Sequence, residues 1–437
     1  MGCGVTVRGV AIAIAALMMC APAHARQGAG GVPDSPAAKI ELDKQEPRKQ
    51  ESRKQESRKS WPSMTFFIAR GEPDACGPGC GEWIAADGRI DPTTPGRLRA
   101  LLARTGKRKL PIYFSSPGGS VSAALEIGRL MRAREMTAGV GRTIPQGCDP
   151  AQTAEPACDK RKRSGAELAA ELRTLNASCN SACVYALIGA KVREVAADAG
   201  LGVHRISVTR TLIRTYASGR VERSSTPLPD GSPGMRAMNG QLARYAAEMG
   251  ISAVLIDVAT AVPHDRLRYI TRDEIARFGI DRRDQIESRW TLHELRPGSW
   301  LAVKSVALGK AGEPKSGEPA QYRALQLAVA CGRTGFVRVG LVRKIDPADA
   351  LASASVAWRG SGITLLRGKT QAKSDGDAAT QEIWVASAPK SFFEGATTNE
   401  TVELVETPVA AANTPRRLTL STLGLPAALE ALGRRCP

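Results

Sequence analysis

Apolar positions change spacing several times along the chain, and each change marks a different kind of segment. The first is an unbroken apolar run from Val10 to Ala21, preceded by a stretch whose one basic residue is Arg8. It gives way to Ala23-His24-Ala25, small residues of the kind that flank a cleavage point. Residues 1–25 therefore read as a secretory signal, with the mature chain beginning near Arg26; the run is short for a bilayer span. Globular patterning starts at Trp61. Met64 to Ile68 predicts a first strand, Pro95 to Arg104 a helix with Leu98, Leu101 and Leu102 on one face, and Leu110 to Phe114 a second strand. A proline and glycine turn follows, and then Ala123, Ala124, Ile127, Leu130 and Met131 recur at helical spacing. Val184, Leu187 and Ile188 mark another helix ending at Gly189, and Leu201 to Arg205 a short strand after a turn at Asp198 to Gly200. Thr271 and Glu274 form a capping box ahead of Ile275. From about Ser288 the pattern becomes alternating, as in Phe336 to Val342 and Glu382 to Val385, which predicts strands. Leu423 to Leu432 reads as one helix leading into Cys436.

Between Arg26 and Ser60 the sequence is polar and repetitive, and Gln45 to Lys59 consists of three five-residue copies of Gln-Glu-(Pro/Ser)-Arg-Lys. With no apolar stripe it cannot offset the entropy of ordering, so residues 26–60 are expected to be a disordered basic linker. The remaining length suits two domains at ~150 residues each. We place a first domain at residues 61–287 and a β-rich C-terminal domain at residues 288–437. The formal net charge of +18 favours weak association with anionic surfaces, such as lipid head groups or acidic envelope polymers. Nucleic acid is disfavoured, because the basic excess is spread along the chain and aromatics are few.

Removal of the signal leaves Cys76, Cys80, Cys148, Cys158, Cys179, Cys183, Cys331 and Cys436. An even number of cysteines in a chain sent to an oxidising compartment points to disulfides. Proximity suggests Cys148 with Cys158, and Cys331 with Cys436 would close most of the C-terminal domain; connectivity is otherwise open. No pair has the C-x-x-C spacing of a zinc knuckle, and the mature chain holds only His204, His264 and His293, so neither a metal nor a cofactor is expected. The expected location is periplasmic or secreted.

Chemistry gathers at three places. In Ser116-Pro117-Gly118-Gly119-Ser120-Val121 two adjacent glycines join a strand to a helix and leave amides uncovered, as a binding site for an oxyanion requires. Ser181, in Asn180-Ser181-Ala182-Cys183, opens a helix. A serine there is either an ordinary N-cap or a nucleophile whose developing charge the helix dipole favours. A serine nucleophile needs a base, and His204 is the candidate; the alternative is a core histidine satisfied by backbone groups.

These segments resemble, in the same order, the Clp protease proteolytic subunit of the ClpP/crotonase superfamily, over roughly residues 64–281. The resemblance implies an α/β fold, a ClpP/crotonase-like spiral of β-β-α units. It implies Ser181 as nucleophile, His204 as base, and the amides of Gly119 and Ala182 as oxyanion donors. In the family an aspartate precedes a strand-like segment and a capped helix, an ending reproduced by Arg268 to Ile275. That register falls nearest Leu267, and Asp265, two residues earlier, is the chosen third member, with Asp198 and Asp257 open as alternatives. The stretch 142–175, which holds Cys148 and Cys158, is an insertion relative to the family, either shaping substrate access or a surface excursion. Cys179 and Cys183 bracket Ser181 where the family has small residues; four apart on a helix, they can approach bridging distance. Lys191 follows Ser181 too closely to suggest the serine and lysine pair of signal peptide peptidases. The expected function is a serine hydrolase, a peptidase acting on a peptide or protein and able to form homo-oligomers as the family does. The alternative is a catalytically silent crotonase-fold binding or scaffold protein of the cell envelope.

Overall fold

A computed structural model describes residues 61–149, 155–309, 322–332, 334–345, 353–358, 363–367, 371–372, 380–389, 391, 400–409 and 414–436. The expected signal at 1–25 and linker at 26–60 lie outside the described residues. Among the described residues no helix is long and apolar enough to cross a membrane.

The first part of the chain is mixed α/β. In order it forms β1 (Thr65–Arg70), β2 (Glu82–Asp87), α1 (Thr94–Thr105), β3 (Ile112–Ser115), α2 (Val121–Ala133), β4 (Thr137–Val140) and β5 (Arg142–Pro145). Then come α3 (Pro156–Lys162), β6 (Leu168–Arg173), β7 (Ser178–Asn180), α4 (Ala182–Ile188), β8 (Val192–Glu194) and β9 (Gly200–Val203). The remainder of this part is β10 (Thr209–Thr215), β11 (Val221–Pro227), α5 (Pro233–Glu248), α6 (Val254–Thr260), β12 (Arg268–Tyr269) and α7 (Arg272–Arg277). A seven-stranded sheet runs in the order β5-β6-β1-β2-β3-β4-β8, and a three-stranded sheet in the order β12-β9-β7.

The helical faces read from spacing are the buried ones. Leu98, Leu101 and Leu102 of α1 join Ala123, Ala124, Ile127 and Met131 of α2 in one core with Ile84, Ile112 and Phe114 of the large sheet. All seven residues of α4 are buried, so this helix is apolar all round and sits inside the layer structure. Close approach of α2 and the end of α4 depends on glycine: a Cβ on Gly189 would lie 2.2 Å from the Gly128 Cα.

Two expectations about local structure are corrected. Stretch 142–175 is no surface excursion, because β6 runs parallel to β1 within the large sheet and pairs on its other side with β5, the edge strand. Its Cys148 and Cys158 are bonded and pack with Ile144, while Trp83 Nε1 donates to Thr143 Oγ1 at 2.8 Å, burying the sequence-distant strands together. The strand expected over 201–205 ends at Val203, which leaves His204 just beyond it, where the chain turns out of the sheet. Beyond it, hairpin β10–β11 is exposed along its whole length.

The C-terminal part is a curled antiparallel sheet. It is formed by β13 (Gln285–Glu287), β14 (Thr291–Arg296), β15 (Ser299–Gly309), β16 (Tyr322–Cys331), β17 (Phe336–Ile345) and β18 (Ser353–Trp358). It continues through β19 (Ile363–Arg367), β20 (Gln371–Ala372), β21 (Thr380–Pro389), β22 (Thr401–Pro408) and β23 (Arg416–Ser421). The path β13-β15-β16-β17-β21-β19-β18-β22-β23 brings its ends back together. Gln285 Nε2 donates to the Thr419 carbonyl at 2.8 Å, and the Ser421 amide to Glu287 Oε2 at 2.9 Å, so the sheet is nearly closed like a barrel. Trp290, Trp358 and Trp384 share its interior with Leu425, Ala428 and Leu432 of α8 (Leu425–Gly433). Cys436, just after α8, is bonded to Cys331.

The two parts are in contact. Leu175, immediately ahead of the Ser181 segment, packs with Leu301, Val303, Ala328, Val342 and Ile383 of the C-terminal sheet. The Tyr322 amide donates to Asp273 Oδ1 at 2.6 Å, and Arg289 Nη1 to the Asp74 carbonyl at 2.9 Å.

Candidate active site

Two turns meet at the ends of β3 and β7. The Ser116 amide donates to the Ser178 carbonyl at 3.1 Å and the Asn180 amide to the Ser116 carbonyl at 3.0 Å, a short parallel bridge that sets the glycine turn beside Ser181. The tightness of this join explains the glycines. Gly118 has φ +100°, and a Cβ there would lie 2.7 Å from the Ser181 Cβ and 3.1 Å from the Ala182 nitrogen. Gly119 has φ +140°, and a Cβ there would lie 2.0 Å from the Ile90 carbonyl oxygen. Gly119 is itself exposed, and Ala182 is the first residue of α4. Among the described residues neither of their amides has a hydrogen-bond partner, which leaves both donors available beside Ser181.

Ser181 adopts φ 55° and ψ −122°, a conformation that residues with a side chain rarely hold. Its amide donates to the Gly202 carbonyl at 2.7 Å and its carbonyl accepts from the Val184 amide at 3.0 Å, so the backbone is held from both sides. The hydroxyl caps nothing in α4. Instead Ser181 Oγ lies 2.7 Å from His204 Nε2. The strand pairing β7–β9 is what delivers the histidine: Asn180 is opposite Gly202, so His204 falls two residues past the register point as the chain leaves β9.

His204 Nδ1 lies 2.7 Å from the main-chain carbonyl oxygen of His264. A carbonyl only accepts, so Nδ1 carries the proton and Nε2 of the neutral ring faces the serine with its lone pair. Burial lowers the His204 pKa below the usual histidine value; the hydrogen bond to the His264 carbonyl opposes that shift, and the neighbouring His264 ring adds to it. The ring is therefore kept neutral at ordinary pH.

Asp265 is exposed and, among the described residues, makes no hydrogen bond to His204; the position expected for its carboxylate is taken by the carbonyl of the preceding residue. Asp257 is exposed on α6. Asp198 is buried in the turn before β9, near Ser288 and Lys304 of the C-terminal part. Neither of its carboxylate oxygens has a partner of good geometry, and burial, only partly opposed by the Thr174 and Ser288 hydroxyls and by Lys304, pushes its pKa up to about 6.

Cys179 and Cys183 are bonded to each other across Ser181, with Cα atoms 5.3 Å apart. The remaining cysteines pair as Cys76 with Cys80, Cys148 with Cys158 and Cys331 with Cys436. Sequence reasoning missed the roles of Gly118 and His264. A close approach leaves some trace in sequence as a second glycine, but a main-chain acceptor leaves none, since every residue has a carbonyl.

No protein-family model matches the chain, and no curated protein matches it. Among solved structures it is similar over 44% of its length to a membrane-bound stomatin-specific protease, 1510-N, in a serine-to-alanine mutant form, with 14% identity, 72% of that chain covered and a TM-score of 0.26. A lysine-to-alanine mutant form of that protease in complex with a substrate peptide matches over 43% of the chain and 65% of its own, at 15% identity and a TM-score of 0.25. ClpP1 from Listeria monocytogenes matches over 44% of the chain and 85% of its own, at 17% identity and a TM-score of 0.26.

Proposed function

We propose that the protein is an exported serine hydrolase, a peptidase, with Ser181 as nucleophile, His204 as general base and the amides of Gly119 and Ala182 as the oxyanion site. The observation that carries this reading is the 2.7 Å approach of Ser181 Oγ to His204 Nε2 from a backbone conformation with φ 55°. A serine that merely caps a helix has no need of such a conformation and turns its hydroxyl to the helix amides. In the reaction, Oγ attacks the substrate carbonyl carbon while its proton passes to Nε2; the charge on the former carbonyl oxygen is received by the two amides. Nε2 then returns the proton to the leaving amine, and water releases the acyl group by the reverse sequence. The wider setting belongs to the same proposal: a spiral of β-β-α units for residues 61–287, a separate C-terminal domain, a cleaved signal and a compartment in which the four disulfides persist. A homo-oligomer acting on peptide or protein substrates completes it.

The second reading, a silent binding or scaffold protein, is favoured by one feature: no carboxylate reaches His204 Nδ1 among the described residues. Labelling of the purified, oxidised mature protein with a fluorophosphonate probe separates the two. The hydrolase reading expects labelling of wild type and its loss in Ser181→Ala and His204→Ala with circular dichroism unchanged. Because the neutral base is required, labelling should rise with pH through a midpoint below the ordinary histidine value of about 6.5. A folded wild type that does not label sinks this reading and leaves the scaffold.

A further inference from the structure

The segment carrying His264 is fastened to the segment carrying His204 by three reciprocal contacts. The Arg205 amide donates to the Val262 carbonyl at 2.9 Å, His204 Nδ1 to the His264 carbonyl at 2.7 Å, and His264 Nδ1 to the Arg205 carbonyl at 3.2 Å. The last bond sets the His264 ring, and that ring lies flat on the His204 ring, with centroids 4.8 Å apart and planes 14° from parallel. A half-buried imidazole held by one hydrogen bond on Nδ1 still has freedom to rock about that bond; a second aromatic ring across its face removes it. His204 is thus constrained in its plane by the carbonyl and out of its plane by the ring, and both constraints come from one residue.

Resting on the hydrolase reading for its consequence in catalysis, we propose that His264 is the positioning residue of this site, doing with a main-chain carbonyl and a stacked ring what a carboxylate would do in a charged triad. The carbonyl fixes the Nδ1–H tautomer that leaves Nε2 free to take the serine proton. The difference from a carboxylate is in charge. A neutral acceptor gives an imidazolium less support than a carboxylate would, and burial of the His204 ring adds to the cost of its charge. The other charged groups at this place are Arg205, which pairs with Asp230, and the exposed Asp265. The site is therefore built to keep its base unprotonated rather than to stabilise the charged form.

Histidine-selective ¹⁵N labelling tests this without relying on turnover, because the full chain has only four histidines and the mature one three. Imidazole ¹⁵N shifts report the tautomer and titration of His204 in wild type, His264→Ala and His264→Phe, and the fluorophosphonate labelling rate is followed against pH in the same three proteins. In wild type the Nδ1–H tautomer should dominate. His264→Ala keeps the main-chain carbonyl and so the tautomer, but loss of the stacked ring and of its bond to the Arg205 carbonyl should shift the His204 titration and the labelling midpoint upward and lower the labelling rate by about tenfold or more. His264→Phe, which keeps an aromatic ring to stack but no ring nitrogen to bond the Arg205 carbonyl, should restore part of the lost rate. If His264→Ala leaves the titration and the labelling rate as in wild type, the positioning role of the ring is overturned while the hydrolase reading stands. Wild type that never labels, with the His204 titration still depending on the His264 ring, has the opposite meaning: the positioning holds and the hydrolase reading fails.

Discussion

Cys179, the middle residue of β7, is bonded to Cys183, the second residue of α4, and the bridge passes across the strand-to-helix corner at which Ser181 sits. Both cysteines are fully buried, so the bridge is part of the core and not a surface clasp. The strained backbone of Ser181 persists only if its surroundings over-determine it, and a covalent link two residues to either side does so directly.

Loss of this bridge should therefore act on the serine before it acts on the fold. The double variant Cys179→Ala with Cys183→Ala is expected to reduce fluorophosphonate labelling by roughly ten- to a hundredfold with secondary structure retained. The variant Cys331→Ser with Cys436→Ser, which opens a bridge spanning 105 residues, should instead lower stability by about 2–5 kcal/mol and leave labelling at working temperature unchanged. Equal labelling of the first variant and wild type would mean that strand pairing alone holds the corner.

The conformation of Ser181 makes its own prediction. Glycine ordinarily costs stability relative to alanine near a helix, but at φ 55° and ψ −122° a Cβ is the source of strain. Both Ser181→Gly and Ser181→Ala abolish the hydroxyl, yet the glycine variant should be the more stable by about 1 kcal/mol in chemical denaturation. The reverse order would show that this backbone is not strained.

Of the two turn glycines, Gly118 is the one whose replacement would press on Ser181 itself. In Gly118→Ala the new methyl would meet the Asn180 carbonyl and the Ser181 Cβ, each at 2.7 Å, with φ at +100°. The turn must move away from Ser181, so labelling should fall by at least about tenfold, and stability by more than about 1 kcal/mol. Wild-type labelling in this variant would disconnect the glycine turn from the nucleophile.

Asp198 predicts a pH dependence of stability. Its pKa is raised from 3.8 to about 6 in the folded protein, so between these values the native state binds more protons than the unfolded one. Stability is then lost as pH rises through this window, by an amount on the order of 1–3 kcal/mol. Asp198→Asn removes the burial cost of a charge and should be more stable than wild type at pH 8, with a flatter profile between pH 4 and 6, by thermal melts across that range. Destabilisation at pH 8 would instead show that the carboxylate is held as a productive partner of the buried Lys304.

Features that local chemistry enforces were legible along the chain. Leu98, Leu101 and Leu102, and Ala123, Ala124, Ile127 and Met131, had to lie on buried helix faces because 3.6-residue spacing gives apolar side chains no other way out of water. The capping box at Thr271 and Glu274 forms within four residues, and the glycines at 118 and 119 announce a turn with positive φ wherever they fold. The remaining features depend on how distant segments meet. The stretch 142–175 looked separable because its strands are short and their partners distant, yet β6 finds β1 about a hundred residues earlier in the chain, a non-local pairing that periodicity does not encode. Side-chain type suggested Ser181 and His204 as a pair, but their 2.7 Å separation depends on the register of β7 against β9. The partner of His204 Nδ1 was sought among aspartates because sequence displays carboxylates; folding supplied a main-chain carbonyl, a group every residue has and no sequence pattern marks.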